Sequence, residues 1–107
     1  SEAVRKHLTK DETRRCLEEW LRVLEAESDF SNVERLEAQL RATALRLKID
    51  ARELIHPTRV AVSGRSVTPG LFDVLRLLGR ETVLTRLRYV IKHFHDLLLL
   101  ADQRGTL

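Results

Sequence analysis

The sequence predicts an all-α fold, a compact multihelical bundle of about five to six helices with no sheet. Three observations predict it. Hydrophobic residues make up 43% of the 107, enough for one core, yet the aromatic ones are only Trp20, Phe30, Phe72, Tyr89 and Phe94. A core left to Leu, Val and Ala suits helix-on-helix packing better than a β-sandwich. Apolar residues recur at three- and four-residue spacing through most of the chain. Helix-start signals (Thr, Ser and Pro) and helix-stop signals (Gly) punctuate those runs in the expected order.

The elements follow in turn. Thr9-x-x-Glu12 reads as a capping box, so the first helix begins near Thr9 and carries Leu17, Trp20, Leu21 and Leu24 on one face. Ser28-Asp29-Phe30-Ser31 interrupts it. A second capping box, Ser31-x-x-Glu34, opens a helix with the stripe Val33, Leu36, Leu40, Ala44 and Leu47. Asp50-x-x-Glu53 suggests a short helical turn ending at Ile55. Val60-Ala61-Val62 has strand propensity, but Pro57 at the first helical position and Gly64 just past the last one predict a short helix instead. Thr68 as cap, Pro69 as first residue and Gly79 as left-handed stop frame the next helix, with Leu71, Phe72, Leu75 and Leu78 inside it. The last helix runs from about Arg80 toward Ala101 on the stripe Val83, Leu84, Leu87, Ile91, Phe94, Leu98 and Ala101. Residues 1–30 are expected to be a connecting helix from a longer parent, and residues 31–107 the helical domain.

Charge is uneven. Residues 1–51 hold 10 Lys/Arg and 11 Asp/Glu, whereas residues 52–107 hold 9 and 5, and eight of those nine cations are Arg. Arginine suits planar, bidentate contact with phosphates or base edges, but a surplus this mild does not by itself identify a nucleic-acid binder. The single Cys16 excludes an internal disulfide and fits a reducing compartment. The sequence has no Met, so a longer parent is expected. The most apolar run, Leu97 to Ala101, is too short to span a bilayer, and no membrane partner is expected. No metal is expected either: His93 and His95 are two apart on a helix and face nearly opposite ways, His7 is isolated, and Cys16 has no His or Cys neighbour. No glycine-rich phosphate loop is present.

The punctuated stretch carries a resemblance. Pro57-Thr58-Arg59-Val60-Ala61-Val62-Ser63-Gly64 resembles the PLRVALTG segment of bacterial-type glutamyl-tRNA synthetases. Arg65-Ser66-Val67-Thr68-Pro69-Gly70-Leu71-Phe72-Asp73-Val74-Leu75 is similar to that family's GRxVSPxLFEVL, and Leu77-Leu78-Gly79-Arg80-Glu81 and Val83-Leu84-x-Arg86-Leu87 to its LLGKE and VLxRL. The match is ungapped over about residues 55–88 and looser over 31–54, while 95–107 look like an extension. Thr58 replaces the usual Leu, a change expected to loosen packing; Ser63 replaces Thr and Thr68 replaces Ser.

The resemblance implies the anticodon-binding type of helical bundle found in class I synthetases. It implies a domain that positions tRNA-Glu for aminoacylation by a catalytic domain absent from this chain. The parent would be an ATP-dependent glutamate–tRNA ligase using ATP and Mg. The HIGH and KMSKS motifs of that family's ATP site are absent here, so this chain is expected to activate no amino acid and to hold no cofactor. Implied partners are tRNA-Glu and the parent's catalytic domain, with a monomer in the cytoplasm or an organellar matrix. By resemblance, Arg59, Thr68, Pro69 and Leu71 face the anticodon bases, with His56 beside them; Arg65 and Arg80 are weaker candidates for phosphate contact. The chemistry fits, because unpaired bases are read by stacking and by hydrogen bonds to their exposed edges, and phosphates by Arg and helix-start N–H groups. Each residue also has a plain structural role open to it: Thr68-Pro69 as a cap, Arg59 in an ion pair, Leu71 in the core. Two other readings stay open: a helical protein-interaction module whose apolar tail, Leu97 to Ala101, seeks a partner, and a free-standing RNA-binding paralogue.

Overall fold

The computed structural model describes residues 8–64 and 70–94. They form five helices: α1 (Lys10–Ala26), α2 (Val33–Leu47), α3 (Arg52–Ser63), α4 (Leu71–Leu78) and α5 (Arg80–Lys92). Among the described residues there is no β-strand, so the all-α expectation holds. Leu17, Trp20, Leu24, Leu36, Leu40, Leu54, Leu75, Leu84 and Leu87 are fully buried, and Cys16 packs among them as a small apolar residue.

α1 starts as its sequence dictates. The Glu12 N–H donates to Thr9 Oγ1 at 3.1 Å, and the Thr9 N–H donates to Glu12 Oε1 at 2.9 Å. Its buried face packs against α2, α3 and α5. The boundary expected at residue 30 is therefore not a boundary of packing: Leu17, Trp20 and Leu24 of α1 lie in the same core as the rest.

α2 starts one residue later than expected. Asn32 is its N-cap, with Oδ1 accepting from the Arg35 N–H at 3.0 Å. Ser31 is drawn away, since both its N–H and its hydroxyl donate to Asp29 Oδ1, at 2.8 and 2.6 Å. The helix ends at Lys48 in the left-handed region (φ 61°, ψ 43°), and the Ile49 N–H closes the turn on the Ala44 carbonyl. Burial of the Ile49 side chain offsets the strain of a left-handed lysine.

The largest departure concerns α3. A separate turn ending at Ile55 and a new helix starting at Pro57 were expected; the structure has one continuous helix with Pro57 inside it. Leu54, Thr58 and Val62, four apart, bury one unbroken face, which holds the two halves in line across the hydrogen bond that Pro57 cannot donate. Val60-Ala61-Val62 is helical as expected, and Gly64 (φ 72°, ψ 10°) is its left-handed stop. α4 begins at Leu71 with Gly70 as N-cap; Thr68 and Pro69, expected as cap and first residue, lie outside the described residues. Gly79 (φ 86°, ψ 161°) ends α4 and begins α5. It occupies an extended positive-φ region that is essentially glycine's alone rather than the left-handed stop expected. α5 ends at Lys92 with His93 as its C-cap; the continuation expected to Leu98 and Ala101 lies outside the described residues. No helix among the described residues is long and apolar enough to cross a membrane.

Candidate nucleic-acid interface

The outer face of α3 gathers two of the candidate residues, His56 and Arg59. With Leu54, Thr58 and Val62 turned inward, His56, Arg59, Val60 and Ser63 follow at i, i+3, i+4 and i+7 and form one ridge. His56 and Val60 are exposed; Arg59 and Ser63 are half-buried. The ridge is braced at its end. Ser63 Oγ donates to the Arg59 carbonyl at 2.6 Å and the Gly64 N–H to the Val60 carbonyl at 2.7 Å. From α5, Arg86 Nη1 donates to the Val62 carbonyl at 2.5 Å, placing a cation at the negative end of the α3 dipole.

Arg59 differs from its neighbours. Its Nε is buried without a hydrogen-bond partner, and its guanidinium forms no ion pair among the described residues. Arg52 pairs with Asp50 at 3.3 Å and Arg88 with Glu25 at 3.0 Å, while Arg80 and Arg86 donate to backbone carbonyls. A buried donor left unmade costs free energy, and a bound acceptor would complete it. Beneath it, Thr58 is fully buried with an unpartnered hydroxyl, so the departure from leucine puts an unsatisfied polar atom in the core.

Arg80 is spent on the fold. Its Nε donates to the Glu27 carbonyl at 2.9 Å and its Nη2 to the Glu25 carbonyl at 2.8 Å, tying the start of α5 to the end of α1. Nη1 meets Glu81 at 2.9 Å. Glu27 is the hub of this corner. Its carboxylate is buried and accepts from Arg35 Nε at 2.5 Å, Gln39 Nε2 at 2.9 Å and the Asp29 N–H at 3.0 Å. The Arg35 hydrogen bond first, then those from Asp29 and Gln39, lower its pKa from 4.5 to about 2. A depressed folded-state pKa means the carboxylate stabilises the fold fully above the unfolded value and loses that contribution as pH falls through the folded one. The Tm advantage of wild type over Glu27→Gln should therefore be constant above about pH 4.5 and shrink between about 4.5 and 2. Thermal melts across that range check it; an advantage unchanged at the acid end would contradict it.

A family described as "Anticodon binding domain" matches residues 1–91. The chain belongs to the anticodon binding domain family. Similar proteins include glutamate–tRNA ligase 1 of Syntrophomonas wolfei subsp. wolfei, 44% identical over 84 residues, and the glutamate–tRNA ligase of Moorella thermoacetica, 43% identical over 84 residues. Each alignment covers 78% of this chain and 17% of the relative. Glutamate–tRNA ligase 1 of Erythrobacter litoralis is 47% identical over 64 residues, 60% of this chain and 13% of the relative. The chain thus spans about a sixth of the length of these relatives and is homologous to their anticodon-binding part.

Within this anticodon-binding domain, the structure brings His56 and Arg59 together and separates two other expected residues from them. Leu71 is 2% exposed and packs in the core with Leu75, so it has no face for a base. The burial of α4 against α2, α3 and α5 decides this. Arg80 has its donors committed to α1 and Glu81, so it is a latch rather than a phosphate contact. Thr68, Pro69 and Arg65 lie outside the described residues. At the start of α4, Asp73 Oδ2 lies 3.5 Å from where a Gly70 Cβ would sit. That is ordinary contact distance, so no close approach requires Gly70, and a carboxylate already sits near this helix start. Sequence reasoning missed Glu27; its signal was the run Arg35, Gln39, Thr43 along one face of α2. Among the described residues no group of His, Cys, Asp or Glu could hold a metal ion.

Proposed function

We propose that this chain is the anticodon-binding domain of a glutamate–tRNA ligase. It holds tRNA-Glu by its anticodon loop so that a catalytic domain elsewhere in a longer protein can aminoacylate it. The observation that carries this reading is the Arg59 guanidinium, half-buried, without a partner among the described residues and set on a braced ridge that ends at Gly64. A fixed fork of donors in a partly desolvated setting suits the acceptor edges of an unpaired base. His56 lies one turn before it on the same ridge. Thr68 and Pro69 are proposed to meet the adjacent bases, and Arg65 a phosphate. ATP and Mg would be held by the catalytic part, and this chain would supply no catalytic residue of its own. We place it in the cytoplasm or an organellar matrix, as a monomer.

Filter-binding titration at moderate salt tests the reading. The chain should prefer tRNA-Glu over the same tRNA with an exchanged anticodon, and equal affinity for the two would overturn base readout. Arg59→Ala should weaken binding by about 1–3 kcal/mol and relax the preference if Arg59 meets a base. If Arg59 meets only phosphate, affinity should instead fall evenly, with the salt slope reduced by about one.

A further inference from the structure

The core and the α3 ridge leave a face of α5 unused. Thr82, Thr85, Arg86, Tyr89 and His93 follow along it at i, i+3, i+4, i+7 and i+11. Its N-terminal half is a shallow groove between Thr82, Thr85 and Arg86, with Glu81 at the rim; the Glu81 carboxylate is taken by Arg80. Its C-terminal half is an aromatic pair. Tyr89 is 58% exposed, and its ring centroid lies 4.5 Å from that of His93, the planes tilted by 42°. Nothing in the core requires a phenol here, yet the imidazole already orients it. Cations flank the pair: Arg86 one turn before, fixed by the Val62 carbonyl, and exposed Lys92 beside it. Lys92 also borders a cleft with Lys10, Asp11 and Arg14 of α1, where Arg14 is paired with Glu18.

An exposed, pre-oriented aromatic face between cations matches the needs of a single-stranded nucleotide: a π surface for the base and positive charge for the phosphates on either side. Arg86 joins this face to the end of α3 through its hydrogen bond to the Val62 carbonyl. We infer that the Tyr89–His93 pair is a stacking platform for an unpaired base of the bound RNA, with Arg86 and Lys92 contacting its flanking phosphates. This rests on the reading of the domain as a tRNA binder and extends the contact surface from α3 onto α5.

The test uses the whole chain, a tRNA-Glu transcript as probe, and two readouts. In filter binding, Tyr89→Ala should weaken affinity roughly tenfold, the loss of one stacked base, while Tyr89→Phe should bind as wild type because it keeps the ring. Tyr89 is the sole tyrosine, so its ring proton resonances can be followed without overlap from other tyrosines, and stacking should move them upfield on RNA addition. If Tyr89→Ala binds as wild type while Arg59→Ala is weakened, the platform is overturned and the tRNA reading stands. Equal losses in Tyr89→Phe and Tyr89→Ala would assign the effect to the hydroxyl and also overturn stacking. A wild-type chain that binds no tRNA would overturn both.

Discussion

A chain lacking residues 1–30 should be unfolded. Without α1 the remaining helices lose Leu17, Trp20 and Leu24, all fully buried, together with Cys16 and Phe30. Truncating a single buried Leu or Trp to Ala costs about 2–5 kcal/mol, and a domain's whole stability is only about 5–15 kcal/mol. Removing this set at once leaves α2, α3 and α5 with an uncovered apolar face. Trp20→Ala alone should cost about 3–5 kcal/mol, enough to lower Tm by more than ten degrees, at roughly 4–8 °C per kcal/mol. Far-ultraviolet circular dichroism during a thermal melt reads both variants. A cooperative transition in the truncated chain near that of wild type would mean that α1 is only a connector, contrary to the packing.

Arg80→Ala should be nearly as damaging, and damaging to folding rather than to RNA binding. The side chain gives charge-assisted hydrogen bonds to the carbonyls of Glu25 and Glu27 at the end of α1. Those carbonyls belong to the terminal groups a helix cannot satisfy internally. Hydrogen bonds to charged groups contribute about 1.5–3 kcal/mol each, so losing both should cost about 3–6 kcal/mol. Arg80→Lys keeps the charge but not the fork, and should fall between Ala and wild type. A phosphate contact behaves differently: Tm would hold while RNA affinity and its salt slope dropped. Melting and binding measured on the same variant separate the two.

Arg80 also shows where sequence reading reaches its limit. Its partners lie 53 and 55 residues earlier, so no local pattern announces them, and an arginine after a helix-stop glycine reads equally well as an anion contact. Thr9 and Glu12 were legible because a capping box is closed within four residues. Pro57 was misplaced because proline by itself prefers a first helical turn; the continuous inner face of Leu54, Thr58 and Val62 overrode that preference. Leu71 was ambiguous for a related reason: its helical phase was readable, but which side of α4 would be covered depends on where α2 and α5 pack. Arg59 was found through the resemblance. What the structure adds is that its guanidinium is unpartnered among the described residues, whereas the family pattern alone left an ion pair open.

RNA binding is proposed to centre on the α3 ridge around Arg59. Amide chemical-shift mapping of the 15N-labelled chain, titrated with an anticodon stem-loop carrying the tRNA-Glu anticodon, tests it most directly. The largest shifts should fall on the amides of His56, Arg59, Val60, Ser63 and Gly64 and on Gly70, and should diminish in Arg59→Ala. Shifts concentrated on the exposed faces of α1 and α2, with the α3 ridge unmoved, would place the RNA elsewhere and rule the ridge out.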